Sequence, residues 1–267
     1  MEKSDREAEV LRRYSPWLVR GFARWLRGYF RRNFNGVRTS LEGVPPEATD
    51  GPLIIYTNHP SWWDPIHFIL LARDLMPRSR MFGPFDAAAL AKYPLFGRIG
   101  AFGVDRSTRQ GAVEFLATSR AILAAPDTTL WITAQGEFGD TRRRPVVLQP
   151  GLARLMRELD DGLVVPLAVE YPFWNERRPE ALSRFGRPLH VRDERERAVE
   201  DLNTRLAERL AETLDALAEE AVTRDPARFR TLVLGRSGVG GVYDIGRRFR
   251  AWIRGRRFDS AHEDDRR

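Results

Sequence analysis

The stretch YTNHPSWWDP, residues 56–65, sets His59 five positions before Asp64, with Trp62 and Trp63 between them. A turn of that length can fold the carboxylate back onto one imidazole nitrogen. The other nitrogen is then left basic, which is how a positioned histidine deprotonates a hydroxyl. The carboxylate fixes the tautomer and stabilises the imidazolium as it forms. No cysteine occurs in the chain, which excludes disulfides and cysteine-ligated metals. No serine sits in a nucleophile-elbow pattern, so direct transfer is expected rather than a covalent enzyme intermediate. His67, three residues past Asp64, raises a metal reading. It is the weaker one, because the other members of its helix are apolar, and no metal site is expected.

The elements that must hold this pair alternate between strands and helices. Residues 52–58 read as a buried strand, 62–75 as a helix, 100–106 as a strand and 109–125 as an amphipathic helix stopped by Pro126. Strands follow at 128–133 and 163–171, with a short one at 188–192. Residues 196–224 form a long helix with Leu202, Leu206, Leu210, Leu214 and Leu217 on one stripe. This alternation predicts an α/β fold with a largely parallel central sheet flanked by helices. Asn58 and His59 fall where the first strand ends, and in open α/β sheets chemistry collects at strand carboxyl ends.

The charge is unevenly placed. The net charge is +7 over 267 residues. Eight arginines and no acid lie between Val10 and Leu41, and six arginines and no acid between Ile245 and Arg257. The body between these arms is therefore mildly acidic. Ser15-Pro16 is a good helix start. Beyond it Leu18, Val19, Phe22, Trp25, Leu26, Tyr29 and Phe30 share one arc, opposite Arg20, Arg24, Arg27 and Arg31. That pattern predicts an amphipathic helix in a membrane interface; a helix packed on the domain with a solvated basic back is the plainer alternative. The second arm repeats the design with Val242, Ile245, Phe249, Trp252 and Ile253. No window of about 18 apolar residues predicts a spanning helix, and no secretory signal is expected at the start. Nucleic acid is not an expected partner, because the aromatic and cationic faces are separate. The expected organisation is an N-terminal amphipathic membrane-interface helix over 1–36, an α/β domain over 37–234, and a flexible joint, basic amphipathic helix and polar tail over 235–267.

Four blocks in order extend the His–Asp pair. NHPSWWD resembles the N-H-x4-D motif of the glycerolipid acyltransferase superfamily, whose best-known members are the 1-acylglycerol-3-phosphate acyltransferases. YPLFGRIGAFGVDRST (93–108), LWITAQGEFGDTRRRP (130–145) with LQPGLARLM (148–156), and VVPLAVEY (164–171) are similar to the second, third and fourth blocks. The resemblance spans about residues 40–190. It implies His59 as general base and Asp64 as its orienting partner. Asn58, Arg106, Gly136, Arg142 and Arg143 become candidate substrate-binding residues, with Arg106 at the place of the arginine that binds acceptor phosphate; a surface arginine after a strand is the alternative. Cofactors are not implied. The acyl donor would be a thioester of coenzyme A or acyl carrier protein, and membrane lipids the other partner. The implied role is in phospholipid biosynthesis, peripheral or monotopic on the cytoplasmic face of the cell membrane.

The third block departs from the pattern. Where the family reads Phe-Pro-Glu-Gly-Thr-Arg, this chain reads Thr133-Ala134-Gln135-Gly136-Glu137-Phe138. The acid becomes an amide and the arginine becomes Phe138. Arg142 to Arg144 could compensate by reaching back. Lysophosphatidate or a similar lipid is the implied acceptor, a glycolipid or glycosylated isoprenoid hydroxyl the alternative. An inactive membrane-binding scaffold with this fold is a reading of another class.

Overall fold

The computed structural model describes residues 9–43 and 51–235. Apart from Gly235, the expected C-terminal arm lies outside the described residues.

The core is one mixed, mostly parallel sheet with helices packed on it. Its strands are β1 (Gly36–Ser40), β2 (Leu53–Thr57), β3 (Arg80–Asp86), β4 (Ala101–Val104), β5 (Thr128–Thr133), β6 (Leu163–Glu170), β7 (Glu180–Phe185), β8 (Leu189–His190) and β9 (Phe229–Leu234). The spatial order is β4-β3-β5-β2-β6-β7-β1-β9, with β8 beside β6. The five strands from β4 to β6 are parallel to one another. At β7 the direction reverses against β6, and β9 runs antiparallel to β1. The expected α/β class is what is seen.

β2 is buried at every position, as a parallel strand covered on both faces must be. Its LIIYT run therefore shows no alternation. Pro166 lies inside β6, where a proline would normally break a ladder. Its carbonyl accepts from Gly186 at 2.8 Å on the side where β8 pairing stops at Val164 and β7 pairing starts at Leu167. The missing N–H thus faces a gap between two partner strands.

The helices are α1 (Pro16–Asn33), α2 (Asp64–Leu75), α3 (Ala87–Lys92), α4 (Arg109–Ala124), α5 (Gly151–Arg157), α6 (Val191–Glu194) and α7 (Val199–Val222). The leucine stripe expected on the long helix is the buried face of α7. Four strands were not expected: β1, β3, β7 and β9.

Those strands change the setting of α1. Val19, Ala23, Leu26 and Phe30 are its buried positions, and Leu26 and Phe30 cluster with Val37 of β1, Leu70 of α2 and Val233 of β9. Burying a Leu or Phe contributes about 1.5–3 kcal/mol, so this face holds α1 to the sheet without a bilayer. Arg27 pairs with Asp74 of α2. Trp17 and Trp25 stay 80% and 56% exposed, beside exposed Arg20, Arg24 and Arg31. Among the described residues, no helix is long and apolar enough to cross a membrane.

Candidate active site

The four motif blocks end at the same edge of the sheet, because each follows the carboxyl end of a parallel strand. Asn58 and His59 follow β2, Arg106 follows β4, Ala134 to Gly136 follow β5, and Tyr171 follows β6.

Asn58 is 2% exposed and clamps β2 to β6. Its Nδ2 donates to the Val169 carbonyl, and the Val169 N–H donates to its Oδ1, both at 2.9 Å. Both ends of the amide are used inside the fold, so the structure places this candidate beneath the site as a clamp. The clamp fixes where the chain leaves the sheet, and His59 comes next.

Asp64 is the first residue of α2 and is fully buried. The Ser61–Asp64 turn, closed by Asp64 N–H on the Ser61 carbonyl at 3.1 Å, reverses the chain. Pro65 in the first helical turn supports the start. The reversal returns the carboxylate to His59, with 2.6 Å between Oδ2 and Nδ1. Oδ2 also accepts from the Ser61 N–H at 3.1 Å, and Oδ1 accepts from the Tyr171 hydroxyl at 2.7 Å. Burial pushes the Asp64 pKa up, while the hydrogen bonds from His59, Tyr171 and Ser61 oppose it. The helix N-terminus also favours the anion.

With an anionic acceptor at Nδ1, that nitrogen carries the proton and Nε2 is the basic one. Nε2 makes no hydrogen bond among the described residues. The His59 side chain is 17% exposed, and with Nδ1 taken by Asp64 it is Nε2 that is left for a reactant. An imidazole held this way can take a proton from a hydroxyl.

The third block holds the first. Gln135 Oε1 accepts from the His59 N–H at 2.9 Å, and the Gly139 N–H donates to the His59 carbonyl at 3.0 Å. Gln135, the amide that replaces the family acid, is thus a holder of the His59 backbone. Gly136 adopts φ +76, and a Cβ there would stand 2.8 Å from Gln149 Cγ. The same Cβ would lie 3.6 Å from Arg106 Nη1, so the structure brings Arg106 over Gly136. Phe138 is 62% exposed, and its ring centroid lies 4.3 Å from that of His59. The loop arginines are differently placed. Arg142 is bound through two nitrogens to Asp140, at 2.9 and 2.7 Å, and Arg144 pairs with Asp215 of α7. Arg143 is exposed and makes no ion pair among the described residues.

Tyr171 and Gln135 are the contacts that sequence reasoning missed. A signal existed for Tyr171: it ends the fourth apolar run, at the same strand edge as Asn58. His67 is fully buried, and its Nδ1 lies 3.3 Å from the Tyr171 hydroxyl. Burial lowers its pKa to about 3.

No curated protein matches the chain. A family model described as acyltransferase does match, over residues 37–170. That span runs from β1 to the end of β6 and takes in the His59–Asp64 pair, Arg106, the loop after β5 and the clamp on Val169. By that match over half its length, the chain belongs to the acyltransferase family.

Proposed function

We propose that the protein is an O-acyltransferase working at a membrane surface, where it moves a fatty acyl group from a coenzyme A or acyl carrier protein thioester to a lipid hydroxyl. The observation that carries this reading is His59, with Nδ1 on a buried carboxylate and Nε2 bare. In the proposed step Nε2 takes the acceptor's hydroxyl proton as that oxygen bonds to the thioester carbonyl carbon. The tetrahedral intermediate then collapses, the C–S bond breaks, and the His59 proton goes to the leaving thiolate. A general base contributes about 10²–10⁴-fold to such a step. An intact dyad is hard to reconcile with an inactive scaffold.

The acceptor reading rests on charge. A phosphate monoester needs cations or several aligned donors. Arg106 reaches the third block, whereas Phe138 takes the place of the family arginine and Glu137 is exposed beside it. Arg142 and Arg144 are engaged by Asp140 and Asp215. An uncharged hydroxyl on a glycolipid or glycosylated isoprenoid therefore suits this site better than lysophosphatidate, with Phe138 as an apolar wall beside His59.

The membrane reading rests on a run of rings. Phe22, Trp25, Tyr29, Trp63 and Trp62 contact one another in succession, with centroids 5.5, 5.4, 5.3 and 4.0 Å apart. The run joins α1 to the His59 loop. Trp25 and Trp62 are exposed, and aromatic side chains with nearby arginines suit an anionic lipid surface on the cytoplasmic side.

The test compares lysophosphatidate with an uncharged glycolipid at equal concentration, using palmitoyl-CoA, in the parent and in Phe138→Arg. The parent should acylate the glycolipid at least as fast, and Phe138→Arg should shift preference toward lysophosphatidate. A strong parental preference for lysophosphatidate, reduced by neutralising Arg142 to Arg144, would overturn the acceptor reading.

A further inference from the structure

His67 and Tyr171 extend the dyad inward. The single proton of the Tyr171 hydroxyl goes to Asp64 Oδ1 at 2.7 Å, because a carboxylate is the strongest acceptor nearby. Burial keeps that hydroxyl protonated, with its pKa raised well above the usual tyrosine value. Its oxygen is then free to accept, and His67 Nδ1 is 3.3 Å away. That contact requires the proton of neutral His67 to sit on Nδ1. His67 Nε2 is buried without a hydrogen-bond partner, which a bare nitrogen tolerates better than an N–H would. Phe30 and Phe34 close over this pair, with ring centroids 6.1 Å from His67 and 5.9 Å from Tyr171.

We propose that Tyr171 and His67 are positioning residues: a hydrogen-bond chain from His67 through Tyr171 to Asp64 holds the carboxylate in the orientation that meets His59 and limits how much of its charge the imidazole feels. The inference rests on the general-base reading of His59. The groups facing the dyad are few. The turn before α2 supplies Asp64 and the Ser61 N–H, and the end of β6 supplies Tyr171. The loop after β5 supplies Gln135, on the His59 N–H; Glu137 of that loop is exposed, and Arg106 from the loop after β4 lies over Gly136. Asp64 is the charged group bonded to His59 among the described residues.

Removing the Tyr171 hydroxyl leaves more of the carboxylate's charge on the imidazole, which favours the imidazolium. The expected result for Tyr171→Phe is a fall in kcat of about tenfold, the worth of one hydrogen bond to a charged group, with KM unchanged. The acid limb of the pH profile should move to higher pH. A merely structural role would lower activity without moving that limb. His67→Asn puts an amide nitrogen where Nδ1 stood and should stay near the parent, whereas His67→Leu should behave like Tyr171→Phe.

The experiment uses the full chain with palmitoyl-CoA and the better of the two acceptors above. Circular dichroism checks folding, and spectra of ¹⁵N-histidine-labelled protein are recorded without substrate. Loss of the fixed His67 tautomer and a changed His59 titration in Tyr171→Phe support the chain. An unmoved acid limb, a parental kcat and unchanged spectra, with His59→Ala inactive, overturn it and leave the base reading standing. Parental turnover by His59→Ala brings down the base reading instead, and the spectra then decide on the chain alone.

Discussion

From β4 to β6 the sheet is parallel and mainly apolar; the loops at its strand ends carry His59, Gln135 and Arg106, with Asp64 at the start of α2. From β7 to β9 it is mixed, and buried charge holds it together. Arg38 of β1 meets Glu180 of β7 at 2.9 Å, with Glu180 fully buried and Arg38 6% exposed. Asn35 also donates to Glu180, and Arg184 and Ser40 converge on Glu220 of α7. Both halves bury carboxylates, yet to different ends. Glu180 faces a guanidinium that neutralises it and serves the fold. Asp64 faces an imidazole and two further hydrogen bonds, from the Ser61 N–H and the Tyr171 hydroxyl, an arrangement that keeps an expensive anion beside a titratable base.

Breaking the structural pair should give the largest effect on stability. Glu180→Ala leaves Arg38 buried and unpaired, which costs about 3–5 kcal/mol. Denaturant unfolding should show that loss, while kcat per folded molecule stays near the parent. Replacing both partners, Arg38→Met with Glu180→Leu, should recover much of it.

Asp64→Asn should do the reverse. The raised pKa means that folding favours the protonated acid. Its stabilising contribution is present below the ordinary carboxylate range and lost as pH rises through the folded value. At neutral pH the anion therefore costs stability, so the variant should unfold at the same or a higher temperature. Turnover should fall by about 10²-fold or more, because an amide cannot stabilise the imidazolium.

His67 sharpens the contrast through pH. Its folded pKa of about 3 lies below the ordinary histidine value near 6.5. Its contribution is therefore present above about pH 6.5 and lost as pH falls toward about 3, at up to about 1.4 kcal/mol per pH unit. Thermal unfolding across that window should be less pH-dependent in His67→Leu than in the parent.

The smallest effect concerns the outer face of α1. Replacing Arg20, Arg24 and Arg31 by Gln should weaken binding to anionic vesicles by about 1 kcal/mol per charge and leave binding to neutral vesicles unchanged. Equal binding of both proteins to both vesicle types would show that α1 serves only as a packed element.

The contrast also explains what the sequence made legible. β2, β5 and β6 are apolar runs and were readable as strands, and the long leucine stripe predicted α7. The GVRTS of β1 and EALSRF of β7 look like loop because Arg38, Ser40, Glu180 and Arg184 find their partners on each other, on β9 and on α7, across separations that pattern reading does not span. β3 carries Gly83 and Pro84, which read as a break in a strand. Missing β1 and β9 hid the surface on which α1 packs, so the membrane-interface reading of its apolar arc stood ahead of the packed one. In the site, His59, Asp64 and the glycine of the third block were legible because their types and spacing are tied to local turns. Gln135 read as a lost acid because its bond to the His59 backbone depends on two loops meeting. Arg142 read as a spare cation, and only the fold shows it bound to Asp140.

The central claim is that His59, held by Asp64, takes the acceptor's proton. Its most direct test is single-turnover acyl transfer by folded His59→Ala, from radiolabelled palmitoyl-CoA to the acceptor that the parent prefers. The rate constant should fall by at least about 10²-fold, with the circular dichroism spectrum and vesicle binding unchanged. A rate within a fewfold of the parent would contradict the claim.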